Sequence, residues 1–203
     1  MNYPAYPPRR TGNHHDTVSV HCTEGDAGRA YARLRSQLLD IHGWEAMNDA
    51  LHTSFALCDG AGIEIYREPV PGDFIRIDLR GPGSPSGEGY DWVVVTEVSE
   101  QQSEPEWTAL TVRPCRPPGT GSGPIAHFFT EEATNTFVVR RLGNCLYAEV
   151  HGRNERTNLP EDSLRDRLRN RAVALAGRVG FGKVQWQDWT DGMVSIIQSE
   201  ADG

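Results

Sequence analysis

The chain is short of the residues that usually announce a chemistry. Its 203 residues hold only four cysteines, Cys22, Cys58, Cys115 and Cys145, far apart and never as Cys-x-x-Cys. Closely spaced thiolate ligands for zinc are therefore absent, and without a sign of export the cysteines read as buried or incidental thiols, not as disulfides. The histidines, at 14, 15, 21, 42, 52, 127 and 151, recur at no ligand spacing apart from one adjacent pair, so no metal is expected. The glycines between 119 and 123 lack a preceding strand and a following helix, which removes the usual cradle for a nucleotide, and no cofactor is expected. No run approaches membrane-spanning length, and the opening MNYPAYPPRRTGNHHD has no apolar signal core, so a soluble cytoplasmic protein without a membrane span is expected. Positive charge is also scarce: 20 basic against 28 acidic residues leave a formal charge of −8, which argues against nucleic acid or an anionic membrane as partner. The arginines at 153, 156, 165, 167, 169 and 171 are interleaved with Glu155, Glu161, Asp162 and Asp166 and read as a solvated face.

What the chain does have is a strongly patterned hairpin from Thr134 to Glu155. With Gly143 and Asn144 as a two-residue turn, Leu142 faces Cys145, Arg141 faces Leu146, Val139 faces Ala148 and Phe137 faces Val150. The alternate pairs are Arg140 with Tyr147, Val138 with Glu149 and Thr136 with His151. One register thus sorts Phe137, Val139, Ala148 and Val150 onto an apolar face and the polar residues onto the other, whereas a slip of one residue would mix them.

Elsewhere, residues 1–15 are rich in proline and arginine and read as a flexible arm. Asp16 to Cys22 alternates as a strand. Thr23 and Asp26 offer helix-start chemistry before Ala27 to Leu39, and a second short helix is expected from Trp44 to Leu51. Further strands are expected at Ser54 to Cys58, Asp73 to Leu79, Tyr90 to Val98 and Trp107 to Val112, separated by proline- and glycine-rich loops at 68–73, 80–89 and 116–124, where binding function could reside. After Asn158, Leu164, Leu168, Leu175 and Val179 form one stripe of a long helix. Trp186, Trp189, Met193 and Ile197 recur at helical spacing in a further segment. The resulting division is an arm at 1–15, one α+β domain at 16–180, and an amphipathic extension at 181–203.

This order of a strand, two short helices, about six consecutive strands and a long C-terminal helix resembles the START-like helix-grip (SRPBCC-type) superfamily, in topology and not in motif. The resemblance implies a curved antiparallel sheet of six or seven strands wrapped around the long helix, with a cavity for a small hydrophobic or amphipathic ligand. No functional residue of the superfamily carries over.

Three groups of residues are candidates for function. His151, Arg153 and Glu155 could supply a base, an anion grip and an orienting carboxylate, against the alternative of a solvent-facing ladder on the polar face. Tyr90 and Trp92 at the start of a strand, and His127 with Phe128 in AHFF, could rim a cavity; the structural alternatives are strand packing, a turn and an aromatic loop anchor. Trp186, Trp189 and Met193 could dock on a protein partner, or pack in the core. The preferred reading is a non-catalytic binding protein for a small apolar or amphipathic ligand. Next comes an interaction protein using the aromatic segment and the long loops, and third a cyclase- or hydratase-like enzyme built on His151.

Overall fold

The computed structural model describes residues 4–47, 53–78, 85–158 and 186–197. Seven strands form one antiparallel sheet: β1 (Asn13–Cys22), β2 (Ser54–Cys58), β3 (Phe74–Asp78), β4 (Asp91–Gln101), β5 (Glu106–Pro114), β6 (Thr134–Leu142) and β7 (Cys145–Glu155). Their spatial order is β1-β7-β6-β5-β4-β3-β2, so the consecutive strands β2 to β7 form a meander and the first strand closes against the last. Register shifts between Val95 and Glu97 and between Asn13 and His15 mark bulges, which bend a sheet and raise its twist. With helices packed on one side, this is an α+β fold of the helix-grip type.

The hairpin pairs in the expected register throughout, from Leu142 opposite Cys145 to Thr136 opposite His151, with Gly143 at φ 59° in the turn, a conformation open to glycine at no steric cost. On the inner face, Phe137, Val139, Leu146, Ala148 and Val150 join Leu57, Ile75, Val93, Val95 and Leu110 in one buried cluster. Helix α1 (Ala27–Leu39) lies on it. Asp26 starts the helix, its carboxylate accepting from the Gly28 and Arg29 amides at 3.0 Å each. Tyr31, Leu34 and Leu38 then fall on one buried stripe, and the Tyr31 hydroxyl bonds Thr108 Oγ1 at 2.8 Å.

The second helical piece is a tight turn over Ile41–Met47 that runs through His42 and Gly43 instead of beginning after them. Its Trp44 donates Nε1–H to the Leu38 carbonyl at 3.0 Å, and that bond orients the indole toward the sheet. The long helix expected from Leu164 to Val179 lies outside the described residues. Among the described residues, α2, at 186–197, covers the inner face together with α1.

Helix α2 corrects one expectation directly. Trp189 and Met193, offered as a docking stripe, are fully buried in the inner cluster, and Trp186 is half-buried with its ring 5.0 Å from Phe137. The Trp189 ring lies 5.3 Å from Trp44 and 5.2 Å from Phe137. Gly192 lets the helix approach, because a Cβ there would stand 3.0 Å from Met47 Cβ. Side chains fully buried in their own core have no surface left for a partner. Over the described part of the inner face, rings therefore occupy the space between sheet and helix. At the edge strand, Ser19 Oγ bonds Thr190 Oγ1 at 2.9 Å and also reaches Asp191, which ties β1 to the same helix.

The thiol reading is corrected too. Cys22 and Cys145 stand opposite each other in β1 and β7 and form a disulfide, while Cys58 and Cys115 are free. The bond closes a sequence separation of 123 residues, so it constrains an unfolded chain strongly. Cys22→Ser is expected to lower the free energy of unfolding by about 2–4 kcal/mol in a denaturant titration. Alkylation of intact cells before reduction is expected to leave Cys22 and Cys145 unlabelled.

Candidate functional site

The outer face of β7 carries Tyr147, Glu149, His151 and Arg153 at every second position. Pairing places Arg140 beside Tyr147, Val138 beside Glu149 and Asp16 beside His151. The expected solvent-facing ladder is not what these residues make. His151 retains 7% of its exposure and Glu149 and Arg153 5% each, because residues 4–10 of the chain lie against them.

Within this covered row every charge is answered. His151 bonds Asp16 Oδ1 through Nδ1 at 2.7 Å and Glu149 Oε2 through Nε2 at 2.9 Å. Arg140 donates Nε–H and Nη2–H to Glu149 Oε1 at 3.0 and 2.9 Å, and its guanidinium lies 3.8 Å from the Tyr147 ring centre. Arg153 pairs with Asp16 at 2.6 Å and donates to the carbonyls of His15 and Gly152, both at 2.8 Å. Burial by itself would raise the Glu149 carboxyl, but the His151 hydrogen bond and the Arg140 charge outweigh it and hold the group below the usual carboxylate range. At Asp16 burial also pushes upward and is overcome by the bonds from His151 and Arg153. The Tyr6 phenol is pushed upward by burial and by Glu149.

The expected trio of His151, Arg153 and Glu155 is split. Asn154 adopts φ 58°, which breaks the alternation, and Glu155 bonds His15 Nδ1 at 3.3 Å on the other side of the strand, over Gly152. A side chain at Gly152 would run into the His15 ring and Glu155, so glycine there makes the space in which that pair meets. Both ring nitrogens of His151 are thus taken up by carboxylates, and the Tyr6 ring lies over the imidazole. The arrangement can hold charge in place and can hold a polypeptide segment, and it leaves neither imidazole nitrogen without a partner.

The other candidates lie toward β2 to β4 on the same outer face. Trp92 is buried with Ala56, Cys58 and Ala126, and Tyr90 packs against this cluster with the Arg76 guanidinium 4.8 Å from its ring. The Trp92 amide donates to the Ala126 carbonyl at 2.7 Å, pinning the 124–129 segment over the strand. His127 and Phe128 are not brought onto the indole. His127 Nδ1 accepts from the Phe129 amide at 2.9 Å, Phe128 meets Phe129 with ring centres 5.0 Å apart, and burial lowers the His127 pKa. They anchor a loop.

Beside the Trp92 cluster, a groove of about 310 Å³ runs along the outer face. Phe74, Val94 and Ile125 supply apolar lining, while Arg113, Arg116 and Glu131 bring charge. Arg116 is tied to the Gly123 carbonyl, and Arg113 is exposed. Cys115 also lines the groove, with its thiol pushed up to about 12 by burial, which makes it unreactive as a nucleophile. The sequence points to the loop that borders the groove, RPPGTGSGP, as a place where binding could reside, but not to the groove itself. Which strand residues lay beneath that loop depended on pairing between β3, β4 and β5.

No family model matches the chain and no curated relative matches it. Among solved structures, the hypothetical protein jhp0584 from Helicobacter pylori is similar in fold, with a TM-score of 0.57 at 13% identity over 97% of this chain and 96% of that one. Ara h 8.0201 aligns with a TM-score of 0.37 at 10% identity, covering 90% of this chain and 99% of that one. The first likeness concerns the fold alone. No described helix is long and apolar enough to cross a membrane, and among the described residues no group of His, Cys, Asp and Glu is placed to hold a metal ion.

Because Glu149 and Asp16 have lower pKa values folded than unfolded, the stability they add is complete above the ordinary carboxylate range and is lost as pH falls through it. Glu149→Gln is expected to make the acid-induced loss of stability below about pH 5 shallower. At neutral pH it is expected to cost about 3 kcal/mol by leaving the buried Arg140 guanidinium without its anion. Urea unfolding midpoints of both proteins across pH 2–7 provide the comparison.

Proposed function

We propose that the protein is a non-catalytic binding protein of the START-like helix-grip (SRPBCC-type) kind, and that it takes a small amphipathic ligand with an anionic head in the groove on the outer face of β3, β4 and β5. One observation carries this reading: apolar Phe74, Val94 and Ile125 lie beside an exposed arginine, Arg113, in a concavity whose size suits a small molecule. An apolar body would bury against the three side chains and a carboxylate would meet the guanidinium, which matches that group's planar fork. The rings that occupy the described inner face favour this outer groove over a cavity under the helix. In this reading Trp92 and Tyr90 contribute by packing against Phe74 and Cys115, which line the groove, and not by contact with the ligand.

A second reading, interaction with a protein through the exposed loop at 116–124, draws on the same rim. The loop's width of exposure favours it, but the apolar lining favours a small ligand. The cyclase- or hydratase-like reading is less favoured, because both His151 nitrogens are engaged by Asp16 and Glu149 under the N-terminal segment. The Cys22–Cys145 bond suits an oxidising compartment better than the cytoplasm, where such a pair would be kept reduced.

Thermal-shift and native mass spectrometry measurements with a medium-chain fatty acid and the matching fatty alcohol separate these readings. The acid is expected to bind and the alcohol to bind less well, and Arg113→Ala is expected to weaken the acid about tenfold, roughly 1.4 kcal/mol. No binding of either compound, or equal binding to the variant, would sink the groove reading.

A further inference from the structure

Residues 4–10 are read by the sheet residue by residue, in a manner that covering alone would not require. Pro4 is buried. The Tyr6 ring lies 4.2 Å from the His151 ring, packs against the buried patch of Trp107, Ala109 and Val138, and points its hydroxyl at Glu149 Oε2, 3.5 Å away. Pro7 and Pro8 follow. Beyond them the Asn154 side chain clamps the main chain: its Nδ2 donates to the Pro8 carbonyl at 3.2 Å and its Oδ1 accepts from the Arg10 amide at 2.8 Å. The Arg9 guanidinium then meets Asp16 Oδ2 at 2.6 Å.

Each of these contacts has a chemical reason to prefer an extended proline segment. Polyproline conformation makes no internal hydrogen bonds, so its carbonyls and remaining amides are open to an outside clamp, and the proline pair lowers the entropy lost on docking. Asn154 is 93% buried and adopts the left-handed backbone region at φ 58°, and there its amide serves both main-chain partners at once. His151 and Arg153 both take Asp16 Oδ1, which leaves Oδ2 to accept from a basic residue after the prolines, as it does from Arg9. The seat is also loosely held from the outside: Pro8 to Gly12 are exposed, Gly12 bends at φ 95°, and the Arg9 pair faces solvent. Such a strap can open without unfolding the sheet beneath it.

We propose that the outer face of β6 and β7 is a recognition site for an extended aromatic–proline–proline–basic segment of a partner polypeptide. The chain's own Tyr6-Pro7-Pro8-Arg9 occupies that seat in the free protein, and a partner segment of the same chemistry takes it by displacing the arm. This site is separate from the groove beside Trp92, so the two fail or stand independently.

The test uses the full chain and a fluorescein-labelled peptide of sequence PAYPPRRT, read by fluorescence anisotropy. A tethered arm competes at an effective concentration on the order of millimolar, so the unaltered chain is expected to bind the peptide weakly. Full-length Tyr6→Ala, which empties the aromatic slot without touching the sheet, is expected to bind at least tenfold more tightly. Adding Asn154→Gly, which deletes the clamp while keeping a residue at ease with positive φ, is expected to reverse that gain, and so is replacing the peptide's tyrosine by alanine. Circular dichroism confirms that each variant retains its sheet. Absence of peptide binding to folded Tyr6→Ala, or binding indifferent to Asn154→Gly, would overturn the proposal. Exchange of arms between two copies with no binding of free peptide would overturn it as well.

Discussion

Asp16, His151 and Thr136 form one row across β1, β7 and β6, and this register decides what both faces of the sheet become. On the inner side it turns Phe137, Val139, Ala148 and Val150 toward the helices. On the outer side it brings Asp16 and Glu149 to opposite nitrogens of one imidazole and places Arg140 within reach of Glu149. A slip of one residue would bury the charges against Trp44 and Trp189 and expose the aliphatic set. Isolated ionised groups cannot be buried cheaply, but here each cation has an anion and each anion has at least two donors, so the covered face is tolerated.

The two faces are accordingly built by different physics. The inner face is closed by rings and aliphatic side chains, with Trp44, Phe137 and Trp189 packed at tilted and edge-to-face angles. Around His151 the outer face is closed by matched charges under the N-terminal segment, while a groove lies open beside Trp92. The proposed binding sites both lie on the outer face.

Much of this was legible in the residues. The alternation of the hairpin specified its pairing to the residue, Asp26 marked the start of α1, and the proline and glycine loops separated the strands where the structure has them. What was not legible depends on contacts distant in sequence. The polar face of β7 reads as solvent-facing because alternation says nothing of a segment some 140 positions earlier that folds back over it, as Tyr6 does over Glu149, a separation of 143. The disulfide was hidden for the same reason: Cys22 and Cys145 become neighbours only when β1 pairs with β7. Glu155 was placed with His151 on a period of two that the positive φ of Asn154 interrupts, and asparagine is among the few residues that adopt such a backbone readily. The helical stripe of Trp186, Trp189 and Met193 was visible, but its destination, core or partner, is a property of what lies opposite.

The central claim is that the N-terminal segment seals the charged outer face. Its most direct test is a nuclear Overhauser measurement on the full chain with selectively labelled tyrosine and histidine. Strong cross-peaks between the ring protons of Tyr6 and His151 are predicted near neutral pH, fading as acid protonates Asp16 and Glu149. Their absence at neutral pH, with the Tyr6 ring showing the shifts of a solvated tyrosine, would contradict the account.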